Sequence, residues 1–157
     1  MNQDDLKSVL ERHRRWLDTD GQEGARAVLS GVSLTGRSLW RADLRQACLD
    51  GANLTGANLD HASLYGASLR DARLARASLW QADLRNADLN NADLRGAKLD
   101  HADLHGATMH GANLSDATLW GARLGNTDLR RVIGLTAGQL QNAQMDDETR
   151  HSLAPLP

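Results

Sequence analysis

Four residues that lie close together in the sequence could do metal or acid–base chemistry: Asp100, His101, His105 and His110. Imidazole nitrogens and carboxylate oxygens are common metal ligands, and a histidine beside an acid can transfer protons near neutral pH. A site of either kind needs a concave pocket that excludes water. Whether these side chains can meet depends on the structural element that carries them.

Cys48 is the single cysteine, so it cannot form a disulfide within the chain, and a reducing compartment is expected. It has no recognisable base, and an ordinary thiol is a simpler interpretation than a nucleophile. Glycines recur at five-residue intervals, but none of these spacings continues into the Lys and Ser or Thr of a phosphate-binding loop. The sequence therefore predicts no cofactor, no metal site and no enzymatic activity.

Composition limits the kind of core and the kind of partner. The 157 residues are enough for one domain, and 41% are hydrophobic, but there is no Phe and one Tyr. The interior must therefore be built from Leu and Ala. A net charge of −2 gives no general attraction to nucleic acid or to an anionic membrane. With no apolar run of about 18 residues, we expect a cytoplasmic protein that contacts no membrane and no nucleic acid directly.

A five-residue repeat dominates the chain. Leu occupies every fifth position from Leu29 to Leu129, with Met109 the one substitute, and Ala stands two residues earlier from Ala42 to Ala122. A period of five fits neither an α-helix nor a flat strand, so the chain must turn once per unit. Ala and Leu, two residues apart in extended backbone, then point to the same side.

The second residue after each Leu carries the turn. It is often Gly or Asn, which accept the positive φ of a type II turn, as at Gly51 and Asn86. Asp71, Arg76 and Asp116 depart from this preference. We therefore expect some corners to use another turn type.

This run of A-x-L-x-x units, with Asp, Asn or Ser often between Ala and Leu as in ADLRQ and ANLTG, resembles the pentapeptide-repeat family over residues 27–131. The resemblance implies an all-β solenoid, a right-handed quadrilateral β-helix with four units per coil and about five coils. Leu and Ala would be stacked inside and the other positions of each unit would face outward. Outward-facing corners do not gather the His101 region into a pocket, which disfavours catalysis there. Arg37 replaces an Ala, so either the first coils are irregular or its guanidinium reaches water.

The ends of a solenoid need covers, because they would otherwise expose an open core and unpaired backbone. We divide the chain into an N-terminal capping helix at 1–22, the β-helix at 23–131 and a C-terminal cap and tail at 132–157. Leu6, Val9, Leu10, His13, Trp16 and Leu17 have helical spacing in the first segment. Thr136 is a candidate N-cap for a short C-terminal helix.

Residues twenty apart should lie one above the other, which predicts a surface file that we call the tryptophan column: Trp40, Asp60, Trp80, Asp100 and Trp120. Exposed aromatic side chains are enriched at protein interfaces. One interpretation is a docking face for a protein partner, whose identity the sequence does not give, or for a second copy of the chain. The other interpretation is that the column results from duplication of a two-coil unit. The segments 39–78 and 79–118 each have a Trp at the second position and an Asp-His pair twenty residues after that Trp.

The resemblance also implies an alternative function. The best-known activity in the pentapeptide-repeat family is protection of DNA gyrase from quinolones by an acidic β-helix shaped like DNA. Residues 27–131 contain 11 Asp and no Glu against 12 Lys plus Arg. An even mixture is a weak imitation of a polyanion. We therefore favour a scaffold for protein recognition and keep modulation of gyrase as the alternative.

Overall fold

The central part of the chain is a solenoid of twenty-residue coils. The structure, a computed structural model, describes residues 1–152, with side chains up to residue 149. Eighteen isolated parallel bridges join residues that are twenty apart, from Val28↔Cys48 to Asn113↔Ile133. Successive bridges are five residues apart, so each coil has four sides. Residues 153–157 of the predicted C-terminal segment lie outside the described residues.

Three helices flank the coils: α1 (Gln3–Asp18), α2 (Ala137–Leu140) and α3 (Asp147–Ser152). No helix among the described residues is both long enough and apolar enough to cross a lipid bilayer.

Leucine fills the interior of every coil. Leu54, Leu74 and Leu94 are at most 1% exposed and lie in one file, because the residues before them bridge in succession. Burying a leucine completely contributes about 2 kcal/mol. Arg37 stands where the repeat would have Ala, and it is only partly buried. Its Nη2 donates to the Met1 carbonyl oxygen at 3.2 Å. The five-residue repeat thus forms a continuous aliphatic core.

All corners adopt the same backbone conformation, and the expectation of a second turn type is wrong. The second residue after each Leu has positive φ throughout residues 31–131, including Asp71 (57°), Arg76 (57°) and Asp116 (59°). The residue directly after each Leu does not have positive φ. This combination is the pattern of a type II turn. Outside Gly, this conformation costs about 1 kcal/mol or more.

Hydrogen bonds hold the corners in that conformation. At one corner the Arg76 N–H donates to the Arg95 carbonyl of the next coil (2.9 Å), and the Ala77 N–H closes the turn on the Leu74 carbonyl (3.0 Å). The neighbouring coil therefore holds positive φ at most corners, whether the residue is Gly or, as at Arg76, carries a long side chain.

Helix α1 lies against the first coil. Asn2 begins the helix with a reciprocal capping box to Asp5. Leu6 and His13 are buried, whereas Val9 and Leu10 are partly buried against the core.

His13 connects α1 to the coils. Its Nδ1 accepts from the Ala27 N–H at 3.0 Å, so the ring proton is on Nε2, which donates to the Arg45 carbonyl oxygen at 3.1 Å. Burial lowers the pKa of His13 below its ordinary 6.5, although the Arg45 carbonyl and the Asp43 carboxylate oppose this shift. A second ring proton would face the Ala27 N–H donor. The folded protein therefore favours neutral His13.

The C-terminal segment closes the other end. Thr136 caps α2, and the Gln139 side chain donates from Nε2 to the carbonyl oxygens of Leu114 (2.8 Å) and Ala117 (2.9 Å). Gln144 forms a last parallel bridge with Arg123. The segment therefore satisfies backbone groups that the last coil would leave unpaired.

Replacing Leu99 by Asp should unfold the middle coils, because an unpaired carboxylate would lie within the aliphatic core. The matched control is Lys98→Asp at the exposed neighbouring position, which Asp occupies in several other units. We expect the control to change the free energy of unfolding by less than about 0.5 kcal/mol in urea denaturation. Equal losses in the two variants would contradict the assigned interior.

The stability of the protein should fall as the pH drops through 6.5. Below that pH the unfolded chain takes up a proton on His13 that the folded chain does not, so the free energy of unfolding decreases until the pH passes the lowered folded pKa. Urea denaturation between pH 7.5 and 5 measures the slope. His13→Ala should remove it, whereas His105→Ala at an exposed site should not. A slope that persists in His13→Ala would rule out this residue as the cause.

Candidate functional site

The tryptophan column lies in register along one side of the solenoid. The residues two positions earlier form an unbroken series of bridges, Ser38↔Asn58, Asn58↔Ser78, Ser78↔Lys98 and Lys98↔Thr118. Trp40, Trp80 and Trp120 are 54%, 40% and 58% exposed. They occupy alternate coils, with Asp60 and Asp100 between them.

The indole rings are held by residues of the adjoining corner positions. The His61 and Trp80 rings meet edge to face, with centroids 4.8 Å apart, and His101 and Trp120 repeat this contact at 4.6 Å. At Trp40 the guanidinium of Arg41 lies 4.8 Å from the ring centroid. Each ring therefore contacts a neighbour and still exposes much of its surface.

Asp60 and Asp100 connect the coils of the column. Asp100 accepts from the Trp120 N–H at 3.0 Å and from the Thr118 hydroxyl at 2.6 Å. Asp60 accepts in the same way from the Trp80 N–H at 3.1 Å and the Ser78 hydroxyl at 2.5 Å. These carboxylates position the backbone that carries the tryptophans, a role that sequence inspection missed.

The same need explains the Asp and Asn residues elsewhere in the repeat. The residue after each Leu has no backbone partner for its N–H in the ladder. In nine units the Asp or Asn two residues earlier accepts that N–H, as Asp83 does for Arg85 at 3.2 Å. In four others an Asp or Asn of the preceding coil accepts it, as in the column. The Asp and Asn residues between Ala and Leu, and in four units those that follow Leu in the preceding coil, therefore accept the N–H groups that the corners leave unpaired.

Arginine neutralises many of these carboxylates. Arg85 donates to Asp83 from Nε (2.8 Å) and Nη2 (2.7 Å), and the units of Asp43, Asp93 and Asp128 repeat this two-bond geometry. The hydrogen bonds lower the pKa of these carboxyls, that of Asp128 to about 2. With the pairs Arg70–Asp88 and Arg123–Asp103, six of the 11 Asp in the coils are in ion pairs.

The column ends in a groove at each end of the solenoid. A groove of about 440 Å³ lies beside Trp120 and Asp100 and is also lined by Thr136, Gln139 and Asn142. At the other end a groove of about 420 Å³ runs between α1 and the residues after Trp40. Its lining includes Gln3, Lys7, Leu10, Arg14 and Arg41. The column therefore adjoins the first groove directly, through Trp120 and Asp100, whereas the second begins at Arg41, whose guanidinium contacts the Trp40 ring.

The residues that could have done metal or acid–base chemistry are not gathered into a site. His101, His105 and His110 are exposed at three successive corners of one coil. The His101 ring lies on Trp120, whereas His110 Nε2 is 3.3 Å from Arg131 Nη1. Among the residues that the structure describes, no three His, Cys, Asp or Glu side chains have an arrangement that could hold a metal ion. The Cys48 thiol is 3.0 Å from the Ser30 hydroxyl.

Comparison with known proteins identifies the repeat. The family model described as pentapeptide repeats matches in eight copies, at residues 27–64, 38–74, 72–111, 92–131 and 109–147. No curated protein sequence matches the chain.

Several solved structures are similar to this one. A pentapeptide repeat protein from Nostoc PCC 7120 is 25% identical, with a TM-score of 0.53, and the match covers 90% of this chain and 95% of that one. A pentapeptide repeat protein from the Arabidopsis thaliana thylakoid lumen is 29% identical, with coverage of 74% and 86% and a TM-score of 0.46. QnrB1, a plasmid-mediated fluoroquinolone resistance protein, is 17% identical, with coverage of 84% and 88% and a TM-score of 0.34. The family match and the similarity to the Nostoc structure imply a right-handed, four-sided β-helix.

Replacing Asp100 by Ala should lower the free energy of unfolding by about 1 to 2 kcal/mol, because the Trp120 N–H and the Thr118 hydroxyl lose their acceptor. Asp100→Asn keeps an acceptor oxygen and should stay within about 0.5 kcal/mol of the wild type. Urea denaturation measures both variants. If Asn costs as much as Ala, the charge of Asp100, and not its hydrogen bonds, stabilises the column.

Proposed function

Since the chain belongs to the pentapeptide-repeat family, we propose that it is a non-enzymatic scaffold that recognises a protein partner through the tryptophan column. The observation that carries the proposal is the clustering of exposed aromatic residues. Seven large apolar side chains are exposed among the described residues, and Trp40, Trp80 and Trp120 are three of them. Tryptophan is enriched among the residues that contribute most to protein association.

The stiffness of the scaffold supports this function. Each tryptophan stands on backbone that is bonded to the coils beside it, and its ring contacts His61, His101 or Arg41. A surface that is ordered before association loses little conformational freedom on binding. The column is therefore suited to bind a partner without rearrangement, and the partner is a different protein or a second copy of this chain.

The ion pairs weigh against modulation of DNA gyrase, the alternative function. A protein that imitates DNA must present carboxylates in place of phosphates. Asp43, Asp83 and Asp103 follow one side of the solenoid, but Arg45, Arg85 and Arg123 pair with them. The same pairing neutralises Arg45, Arg85 and Arg123, which disfavours this side of the solenoid as a contact for nucleic acid or for an anionic membrane.

We place the protein in a reducing compartment such as the bacterial cytoplasm. Cys48 is partly buried, and its thiol makes close polar contacts with Ser30 and Asp50. A single thiol in such a position needs no oxidising environment.

Removing the three indoles together, as Trp40→Ala/Trp80→Ala/Trp120→Ala, should reduce capture of the partner about tenfold or more. Quantitative mass spectrometry of proteins retained by the immobilised full chain measures this, and retention of a tagged second copy of the chain tests self-association. The backbone bonds to Asp60 and Asp100 do not involve the indoles, so the variant should fold.

The matched control removes three other exposed apolar side chains, as Val28→Ala/Tyr65→Ala/Ile133→Ala. We expect it to retain the same proteins as the wild type. Unchanged capture by the tryptophan variant, or equal losses in both variants, would refute the tryptophan column as the docking face.

A further inference from the structure

The tryptophans of the column have a spacing that selects the conformation of a bound peptide. Adjacent coils are bonded in the register of a parallel ladder, whose strands lie about 4.8 Å apart. Trp40, Trp80 and Trp120 occupy alternate coils. Successive indoles therefore recur about every 9.6 Å along the solenoid.

That interval differs from the repeats of a strand and of an α-helix. A strand presents side chains on one face about every 6.8 Å, and an α-helix about every 5.4 Å or, at seven residues, 10.5 Å. A polyproline II helix repeats every three residues, about 9.3 Å. Over three tryptophans the mismatch is about 0.6 Å for polyproline II and about 1.8 Å for the seven-residue helical repeat.

The charges between the indoles indicate which side chains a bound polyproline II segment would carry between its prolines. Asp60 and Asp100 take no part in any ion pair among the described residues, in contrast to the carboxylates on the neighbouring side. Lys98 and Arg41 lie on the same side of the solenoid and likewise form none. Each carboxylate lies about 4.8 Å from the tryptophan positions above and below it. Lys98 belongs to the neighbouring file and Arg41 lies over the Trp40 ring, so the charges directly between the indoles are those of Asp60 and Asp100, which basic side chains between the prolines would face.

The rings are presented in a manner that suits proline. The rings of His61 and His101 meet those of Trp80 and Trp120 at interplanar angles of 83° and 87°. These contacts restrain the two indoles and leave them 40% and 58% exposed. Proline-rich segments bind grooves lined by aromatic rings. Their backbone has no internal hydrogen bonds, so its carbonyl groups are available to polar groups such as the Asn142 amide in the groove beside Trp120.

We infer that the tryptophan column binds a proline-rich segment in polyproline II conformation, with every third residue on an indole and Lys or Arg in between. Seven residues span the three tryptophans. This inference rests on the proposed function, because it names the occupant of the same surface.

Calorimetric titration of the full chain with a nine-residue peptide, three repeats of Pro-Pro-Lys, tests the inference. We expect binding that weakens about tenfold or more in the triple tryptophan variant. Three repeats of Ala-Ala-Lys keep the charge but not the polyproline II conformation, and three repeats of Pro-Pro-Glu keep the conformation but reverse the charge. Neither should bind measurably. A control peptide that binds as well as Pro-Pro-Lys overturns the inference.

A second pair of variants separates charge from structure. Asp60→Asn/Asp100→Asn retains acceptor oxygens for the Trp80 and Trp120 N–H groups but removes both charges. We expect Pro-Pro-Lys to bind about fivefold more weakly to it and with less dependence on salt. Asp71→Asn/Asp116→Asn, at corners outside the column, should bind as the wild type does. Equal affinity of all three proteins would contradict the role of Asp60 and Asp100.

The outcome also distinguishes this inference from the proposed function. If Pro-Pro-Lys does not bind while the triple tryptophan variant loses the wild type's captured proteins, the polyproline II occupant is wrong and the docking face stands. If Pro-Pro-Lys does not bind and capture is unchanged, both proposals fail.

Discussion

The structure depends on stacking leucine upon leucine from one coil to the next. From Leu29 to Leu104 each Leu of the repeat is buried beneath the Leu, or in one case Met109, twenty residues later, and the buried core of the described residues contains no Trp or Tyr that could fill larger gaps. Such small side chains fill the interior only when the coils are as close as hydrogen-bonded strands. The bridges at every fifth residue maintain that distance. The conformation of the corners, the closing of the two ends and the positions of the surface residues all depend on this register.

The corners have an energetic cost that the ladder compensates. Twelve of them place a residue other than Gly at positive φ. In nine of these twelve residues the N–H bonds to a carbonyl of the next coil, and in nine units the Asp or Asn between Ala and Leu accepts the N–H that the ladder leaves unpaired. Polar residues on the outside of this protein are therefore structural elements, and many of the charges on its surface are already paired.

This arrangement limits what the protein can do. The interior of the coils is filled, and His101, His105 and His110 stand exposed at separate corners, so these three side chains do not share a pocket. The outward positions repeat at fixed intervals, which favours the recognition of a partner with a regular repeat of its own. The tryptophan column combines such an interval with the carboxylates of Asp60 and Asp100, which form no ion pair with any side chain that the structure describes.

The sequence by itself determined the period and the identity of the core, because Leu and Ala recur too regularly for any other arrangement to bury them. The register of the tryptophan column followed from the four units per coil that the family resemblance implies. It also indicated α1 and the Thr136 cap, which depend on local spacing and local hydrogen bonds. The tertiary structure decided the corners at Asp71 and Arg76, the bonds from Asp100 to the next coil and the contact of His101 with Trp120. These features depend on contacts between residues about twenty apart in the sequence, which come close together only when the coils are stacked. Local preference therefore could not predict them.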